Sequence, residues 1–291
     1  MAKINDKLSD SNSKVSNFGR VEQYWLGKEV KGSRHTSAAS TMMEYQDSLI
    51  EKYKLKGVEY GNWTTQDDRH DFLMALAKSL EILSGIVGYK NIGFNYRVGV
   101  AFGARGRGGG ALAHWEPGTG MINMTKDRSV GSFSHEYGHA IDYVIGSTVD
   151  QSSKFYSLSG GHSTSSMLTE NTGGQLRAYA NMIVDAIKAT KSYTRLDEAA
   201  DYWHRRTEVF ARGFEEFVGV YLAKKKIRNE WLAGSPTFYY RSPAYVTEAE
   251  FKPIYSLYLN FCKELAAVMN GKKKITATPY GFNKTKKKAV K

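Results

Sequence analysis

The chain has 291 residues, of which 41% are hydrophobic, 24% are charged and 13% are aromatic, with only 5 prolines. This composition excludes a wholly disordered chain, a collagen and a coiled coil, and the length permits one large domain or two. A single cysteine, Cys262, excludes an internal disulfide and any zinc site built from several thiolates. A bound metal would therefore need histidine and carboxylate ligands.

The two ends of the chain differ in composition from the rest. Residues 1–20 contain no apolar block of the kind that a signal peptide has, and no segment reads as a membrane span, so we expect a cytoplasmic protein without membrane contact. Eight lysines and no acid occupy the last 20 residues, and without them the net charge falls from +12 to +4. We predict a flexible arm over residues 1–20, one domain over 21–270 and a flexible tail over 271–291. Such a basic tail attracts polyanions or simply aids solubility.

The first strong periodicity lies in residues 67–83, where apolar side chains at steps of three and four predict an amphipathic helix. Residues 94–102 and 111–125 then alternate loosely around glycine-rich breaks, which predicts two or three short strands. The glycine run at residues 103–110 lacks the Gly-Lys-Ser/Thr ending and the following helix of a phosphate-binding loop. We interpret it as a hairpin connection.

Downstream of these strands the pattern is helical. Periodic apolar residues predict helices over residues 129–145, 175–190 and 206–223. A capping-box sequence, Thr247 to Glu250, predicts the start of a last helix, although Pro253 implies a kink or a later start. The predicted fold class is α+β, mainly helical with one small mixed sheet ahead of the helix at residue 129.

That helix carries the strongest chemical signal of the chain. His135 and His139 are four residues apart, so both imidazoles lie on one helix face, and Glu136 projects beside them. This is the H-E-x-x-H arrangement of zinc peptidases, in which neutral imidazoles bind Zn²⁺ and a carboxylate takes the proton of an activated water. Asp142 is expected to accept an imidazole N–H. The alternative is a structural helix that merely contains two histidines.

A catalytic zinc site needs a third protein ligand. On the helix over residues 206–223, Glu208, Arg212 and Glu215 or Glu216 fall on one face at steps of four and three, so a glutamate from this face could reach the metal. The alternative is that Glu208 and Arg212 form an ordinary exposed pair, worth only about 0.3–0.5 kcal/mol.

Five sequence blocks in order, followed by the helix that contains Glu208, resemble the metallopeptidase-like large polyvalent protein-associated domain. That family occurs in proteins of phages and other mobile elements. The resemblance covers roughly residues 50–225 and implies a zincin-like metallopeptidase fold. The blocks are Gly57–Trp63, Ala101–Gly108, Ala113–Pro117, Ile122–Lys126 and Gly131–Glu136.

The helix around Glu208 is also similar to the E-F-F-A-E-A-F helix of gluzincins such as the lethal-factor-type toxin proteases. This similarity implies that Glu208 is the third zinc ligand, with Glu215 as the runner-up. The sequence departs from the pattern at Arg212, where the second glutamate of the gluzincin helix would stand, so Arg212 and Glu215 are expected to surround the ligands. Tyr202, one position off the usual spacing, is the implied stabiliser of a tetrahedral oxyanion.

The same resemblance gives a role to the strand before the active helix. In zincins this strand binds the substrate as an added strand, which implies that His114 and Trp115 line the substrate cleft. The alternative is that both side chains pack beneath the helix.

Two functions follow from this sequence. The first is a zinc endopeptidase acting on a protein or peptide, with His135, His139 and Glu208 as ligands and Glu136 as general base. The second is a phage or mobile-element accessory protein that keeps the fold as a scaffold, while its lysine-rich tail binds nucleic acid or a virion protein. Either would act in the cytoplasm of the host cell, or as part of a virion.

Overall fold

The computed structural model describes residues 39–104, 112–125, 129–149, 157–162, 174–194, 201–236 and 244–274. In these ranges the chain is mainly helical and contains one four-stranded mixed sheet, so the predicted α+β class with a small sheet is confirmed. The predicted N-terminal arm and residues 275–291 of the tail lie outside the described residues. In chain order the elements are α1 (Ala39–Tyr53), β1 (Val58–Tyr60), α2 (Gln66–Val87), β2 (Gly99–Phe102), β3 (Ala113–Glu116), β4 (Met121–Met124), α3 (Phe133–Val149), α4 (Gly174–Lys188), α5 (Lys191–Thr194), a 3₁₀ turn (Asp201–His204), α6 (Arg206–Lys225) and α7 (Glu248–Met269).

Local capping chemistry fixes where α2 and α7 begin. The Thr65 side chain accepts the backbone N–H of Asp68, and the Asp68 carboxylate accepts the backbone N–H of Thr65, which closes a capping box at the start of α2. Thr247 and Glu250 close the predicted box at the start of α7. The later start that Pro253 implied is therefore wrong, because the helix begins at the cap and includes the proline.

The sheet has the strand order β1-β2-β4-β3. β1 and β4 both pair with β2 in parallel, and β3 pairs with β4 antiparallel. Most of the glycine run lies outside the described residues, but the strands on either side of it, β2 and β3, are not neighbours because β4 lies between them, so the predicted hairpin between these strands is wrong. The hairpin of this sheet is formed by β3 and β4, which are joined by a short turn. The strand β1 was not predicted from the sequence.

The strand predicted from residue 94 begins later, at Gly99. Phe94, Asn95 and Tyr96 all have positive φ, between 51° and 64°, which is incompatible with an extended strand. The backbone N–H of Asn95 bonds to the side chain of Asn91 and that of Tyr96 bonds to the carbonyl of Lys54, so the turn is held from two sides.

The centre of the molecule is the packing of α3 against β3 and β4 on one side and against α6 on the other. α4 packs against both α6 and α7, which covers α6 from the opposite side. α6 is therefore buried over most of its length, and its phenylalanines Phe210, Phe214 and Phe217 are inaccessible to solvent. No described helix combines the length and apolar character needed to cross a membrane.

Candidate metal centre

The face of α3 that carries the histidines points toward α6. The two helices approach closely because Gly138 has no side chain: a Cβ atom there would lie 3.1 Å from Ala211 Cα and 3.3 Å from Phe214 Cβ. Any larger residue would push the helices apart. The small residue between the two histidines therefore lets a side chain of α6 reach them.

Three potential ligand atoms converge between the helices. His135 Nε2 lies 3.1 Å from His139 Nε2, and His139 Nε2 lies 3.3 Å from Glu208 Oε1. The second oxygen of Glu208 lies 3.7 Å from His135 Nε2. The exposed fractions of the three side chains are 1% for His135, 5% for Glu208 and 13% for His139. The group is a compact buried set of two imidazoles and one carboxylate that can hold a metal ion.

Each imidazole is oriented through its other ring nitrogen. His135 Nδ1 lies 3.2 Å from Glu215 Oε2, and His139 Nδ1 lies 3.0 Å from Thr207 Oγ1. In the tautomer that carries its proton on Nδ1, His135 donates to Glu215. The Nε2 lone pair of His135 is then directed toward Glu208 and His139, as metal binding requires.

The electrostatics of these side chains pair His139 with Glu208. Burial acts to lower the pKa of His139, but the neighbouring Glu208 carboxylate and the charge of Glu136 outweigh it and raise the pKa to about 9. Burial acts to raise the pKa of Glu208, but the charge of His139 beside it holds the pKa well below its ordinary value. Glu208 Oε2 is buried and has no hydrogen-bond donor in the described part of the chain. A buried carboxylate oxygen without a hydrogen-bond donor, beside two imidazoles, is suited to contact a cation.

Glu136 lies on the same helix and is also buried. Its Oε2 accepts the backbone N–H of Trp115 in β3 at 2.7 Å. Among the described strands β3 has one sheet neighbour, β4, so this N–H points away from the sheet and toward α3. The edge strand thus orients the carboxylate that the sequence designates as general base.

The structure places His114 and Trp115 in β3, beside the site. The Trp115 side chain is partly buried against the core and its ring lies 6.1 Å from that of Tyr143 of α3, in agreement with packing beneath the helix. His114 is half-buried on the adjacent position, and its carbonyl accepts the side-chain amide of Asn123. The contribution of Trp115 to the site is therefore its backbone N–H.

Tyr202 and Arg212 lie near Glu208, Tyr202 in the turn before α6 and Arg212 one helical turn further along α6. Tyr202, 40% exposed, lies in the 3₁₀ turn before α6, and its partial burial together with the nearby charge of Glu208 raises the pKa of its hydroxyl. Arg212 is buried, donates to the Trp203 carbonyl and stacks over the Trp203 ring at 4.9 Å. The alternative interpretation, in which Glu208 and Arg212 form an exposed ion pair, is wrong. Both residues are buried, and Arg212 donates to the carbonyl of Trp203 in the turn.

Asp142 has a different role from the one predicted. Its carboxylate accepts Ser157 Oγ and the backbone N–H of Ser159, both at 2.6 Å, whereas the Nδ1 of His139 faces Thr207. Asp142 thereby anchors residues 157–162 against α3. The Gly161 carbonyl accepts the backbone N–H of Thr207 at the start of α6. Asp142 therefore supports the site indirectly, by holding the segment that contacts Thr207.

Sequence reasoning missed Thr207, Tyr245 and the backbone N–H of Trp115. Thr207 directly precedes Glu208 in the sequence. A hydroxyl next to a suspected ligand could have indicated a residue that contacts one of the histidines. The Tyr245 hydroxyl donates to Glu215 Oε2 at 2.7 Å from a segment 30 residues away, and no spacing rule links the two.

Comparison with known families gives a match to part of the chain. Residues 196–269 match the family model of large polyvalent protein-associated domain 1. This supports the expected relation to the polyvalent protein-associated domains over about a quarter of the chain. The matched segment contains Tyr202, Glu208, Arg212, Glu215 and Tyr245 but not α3, and its description names no metallopeptidase. Neither the curated proteins nor the solved structures yield a match.

Proposed function

We propose that this protein is a zinc-dependent peptidase with a zincin-like active site. The observation that carries the proposal is the convergence of His135, His139 and Glu208 with the Glu136 carboxylate beside them. Tetrahedral coordination with bonds of ~2.0–2.1 Å separates ligand atoms by ~3.3 Å. The separations of 3.1 Å between the two histidines and 3.3 Å between His139 and Glu208 agree with this spacing, and the separation of 3.7 Å between His135 and Glu208 is somewhat longer. A set of two imidazole ligands and one carboxylate ligand suits Zn²⁺.

Zinc bound there would polarise the scissile carbonyl and make a water molecule acidic enough to attack it. Glu136, held by the Trp115 N–H, is positioned to take the proton of the attacking water and to deliver it to the leaving amine. Tyr202, which is neutral and partly exposed beside Glu208, is the group that would donate to the developing oxyanion. Among the described strands β3 has no neighbour on the side opposite β4, and the part of this edge that Glu136 does not occupy would align an extended peptide.

A phage or mobile-element setting is part of this proposal. It is supported by the match of residues 196–269 to a polyvalent protein-associated domain. That match also favours a second function, an accessory protein in which the same fold serves as a scaffold and the basic tail binds nucleic acid or a virion protein. The second function predicts salt-sensitive binding of DNA or RNA without hydrolysis of any peptide.

The Glu136→Gln variant separates the two functions. It keeps the shape and the hydrogen bond from Trp115 but removes the base, so we expect about one zinc per chain and a loss of about 10²–10⁴-fold in hydrolysis. Cleavage is measured on casein and on a mixed peptide library after zinc loading, with zinc content measured on the same samples. Glu81→Gln, at an exposed site of α2, is the matched control.

Equal cleavage by wild type and Glu136→Gln would contradict the role of Glu136. A zinc-loaded wild type that cleaves neither substrate, but binds nucleic acid in a salt-sensitive manner, would favour the scaffold.

A further inference from the structure

A chain of three side chains leads from the candidate metal ligands to the segment before α7. We infer that Tyr245 is a positioning residue of the metal centre, which acts through Glu215 on the imidazole of His135. The inference rests on the proposed metal site and adds to it a residue from a remote part of the chain.

The geometry of this chain is direct. Glu215 Oε2 receives the Tyr245 hydroxyl at 2.7 Å and lies 3.2 Å from His135 Nδ1, so one carboxylate oxygen serves both contacts. The participants come from three parts of the fold: α3 for His135, α6 for Glu215 and the segment before α7 for Tyr245. His135 and Glu215 are both buried, so the bonds are protected from competition by water.

The position of Glu215 on α6 explains why a second bond matters. Glu215 stands seven residues, about two turns, beyond Glu208, so both carboxylates lie on the helix face that meets α3. A glutamate side chain has several rotatable bonds, and a tyrosine donor to the same oxygen restricts the rotamers from which it can reach His135. Loss of the hydroxyl would leave the backbone of the site in place while loosening the ring orientation of one ligand.

Partners of this kind tune metal affinity. Changing a residue that orients a ligating histidine typically weakens metal binding about 10–100-fold. We expect Tyr245→Phe, which keeps the ring and removes the hydroxyl, to weaken zinc binding within that range. The second imidazole is held independently by Thr207, so binding should be weakened and not abolished.

Tyr258→Phe is a matched control. Tyr258 is a buried tyrosine of α7 whose hydroxyl donates to the Phe210 carbonyl of α6 at 2.6 Å. Both substitutions remove one tyrosine hydroxyl bonded to the same helix, and both should lower the melting temperature. Tyr258 bonds to the helix backbone and does not bond to a residue that contacts a ligand.

The test measures zinc affinity by chelator competition and the visible absorption of the Co²⁺-substituted protein, for the wild type and both variants. The inference predicts weaker zinc binding and altered Co²⁺ bands in Tyr245→Phe, with wild-type values in Tyr258→Phe. Glu215→Gln, which also removes the charge, should change both readouts in the same direction, and it replaces Tyr245→Phe if that variant does not fold.

Two results would contradict the account, and they differ from each other. A wild type that binds neither Zn²⁺ nor Co²⁺ overturns the proposed function and the inference with it. A wild type that binds both metals, with a folded Tyr245→Phe inside twofold of Tyr258→Phe, overturns the inference alone, whatever the effect of Glu215→Gln.

Discussion

At the residue scale, the electrostatics of His139 and Glu208 favour a proton on the same imidazole nitrogen that a metal would need. In the metal-free protein the raised pKa of His139 and the lowered pKa of Glu208 make the two side chains an ion pair at neutral pH. His135 Nε2 lies 3.1 Å from His139 Nε2 and can accept a hydrogen bond from the proton on that nitrogen. Zinc needs the same lone pairs, so metal and proton compete for one site.

This competition predicts proton release on zinc binding. Because His139 has a pKa of about 9 without metal, it is protonated at pH 7 and must lose its proton to bind zinc. The apparent zinc affinity should rise about tenfold per pH unit and level off as the pH passes that pKa. Glu208, with a lowered pKa, is already ionised and adds no further dependence in this range.

Calorimetric titration with Zn²⁺ at pH 7, repeated in buffers of different ionisation enthalpy, measures this release. We expect about one proton per zinc from His139. Binding with no proton release would show that His139 is neutral beforehand or does not bind the metal.

At the element scale, the site depends on how α3 packs against its neighbours. Gly138 allows α6 to approach, and Gly146 allows the segment of residues 157–162 to lie across the end of α3. A Cβ atom on Gly146 would lie 2.5 Å from the backbone of Ser157 and Leu158. Backbone cannot rotate away as a flexible side chain can, so the segment would have to move.

Gly146→Ala is therefore expected to destabilise the protein, by roughly 1–3 kcal/mol. Gly85→Ala is the matched control, because it replaces an exposed helical glycine whose Cβ would meet nothing within 4 Å. The control should stabilise the fold by about 0.5–1 kcal/mol through lower backbone entropy of the unfolded chain. Urea unfolding of both variants measures the difference, and equal stabilities would refute the packing argument.

Local patterns predicted the long helices from α2 onward, missed α1 and β1, and predicted the arrangement of the strands poorly. Apolar periodicity and the box at Thr247 located the helices because both signals act within a few residues. The left-handed turn at residues 94–96 and the position of β4 between β2 and β3 depend on distant contacts. At the site, His135, Glu136 and His139 followed from spacing on one helix. Glu208 came from resemblance, because its own pattern also fitted an exposed pair.

At the scale of the whole molecule, the candidate metal centre joins two parts of the chain. α3, which packs against the sheet, supplies His135, Glu136 and His139, and α6, covered by α4 and α7, supplies Glu208. The described part of the segment matched by the family model contains the 3₁₀ turn, α6 and α7 but not α3, so residues 196–269 do not include a complete ligand set. A metal bound at the interface would cross-link the two parts and stabilise the fold by its binding free energy.

The zinc content of the purified protein tests the central claim most directly. Elemental mass spectrometry is applied to the wild type, His139→Ala, Glu208→Ala and the exposed-site control Glu81→Gln, each checked for folding by circular dichroism. The account predicts about one zinc per chain in the wild type and the control, and a loss in both ligand variants. A folded wild type that carries no zinc and takes up none when it is supplied would contradict the account.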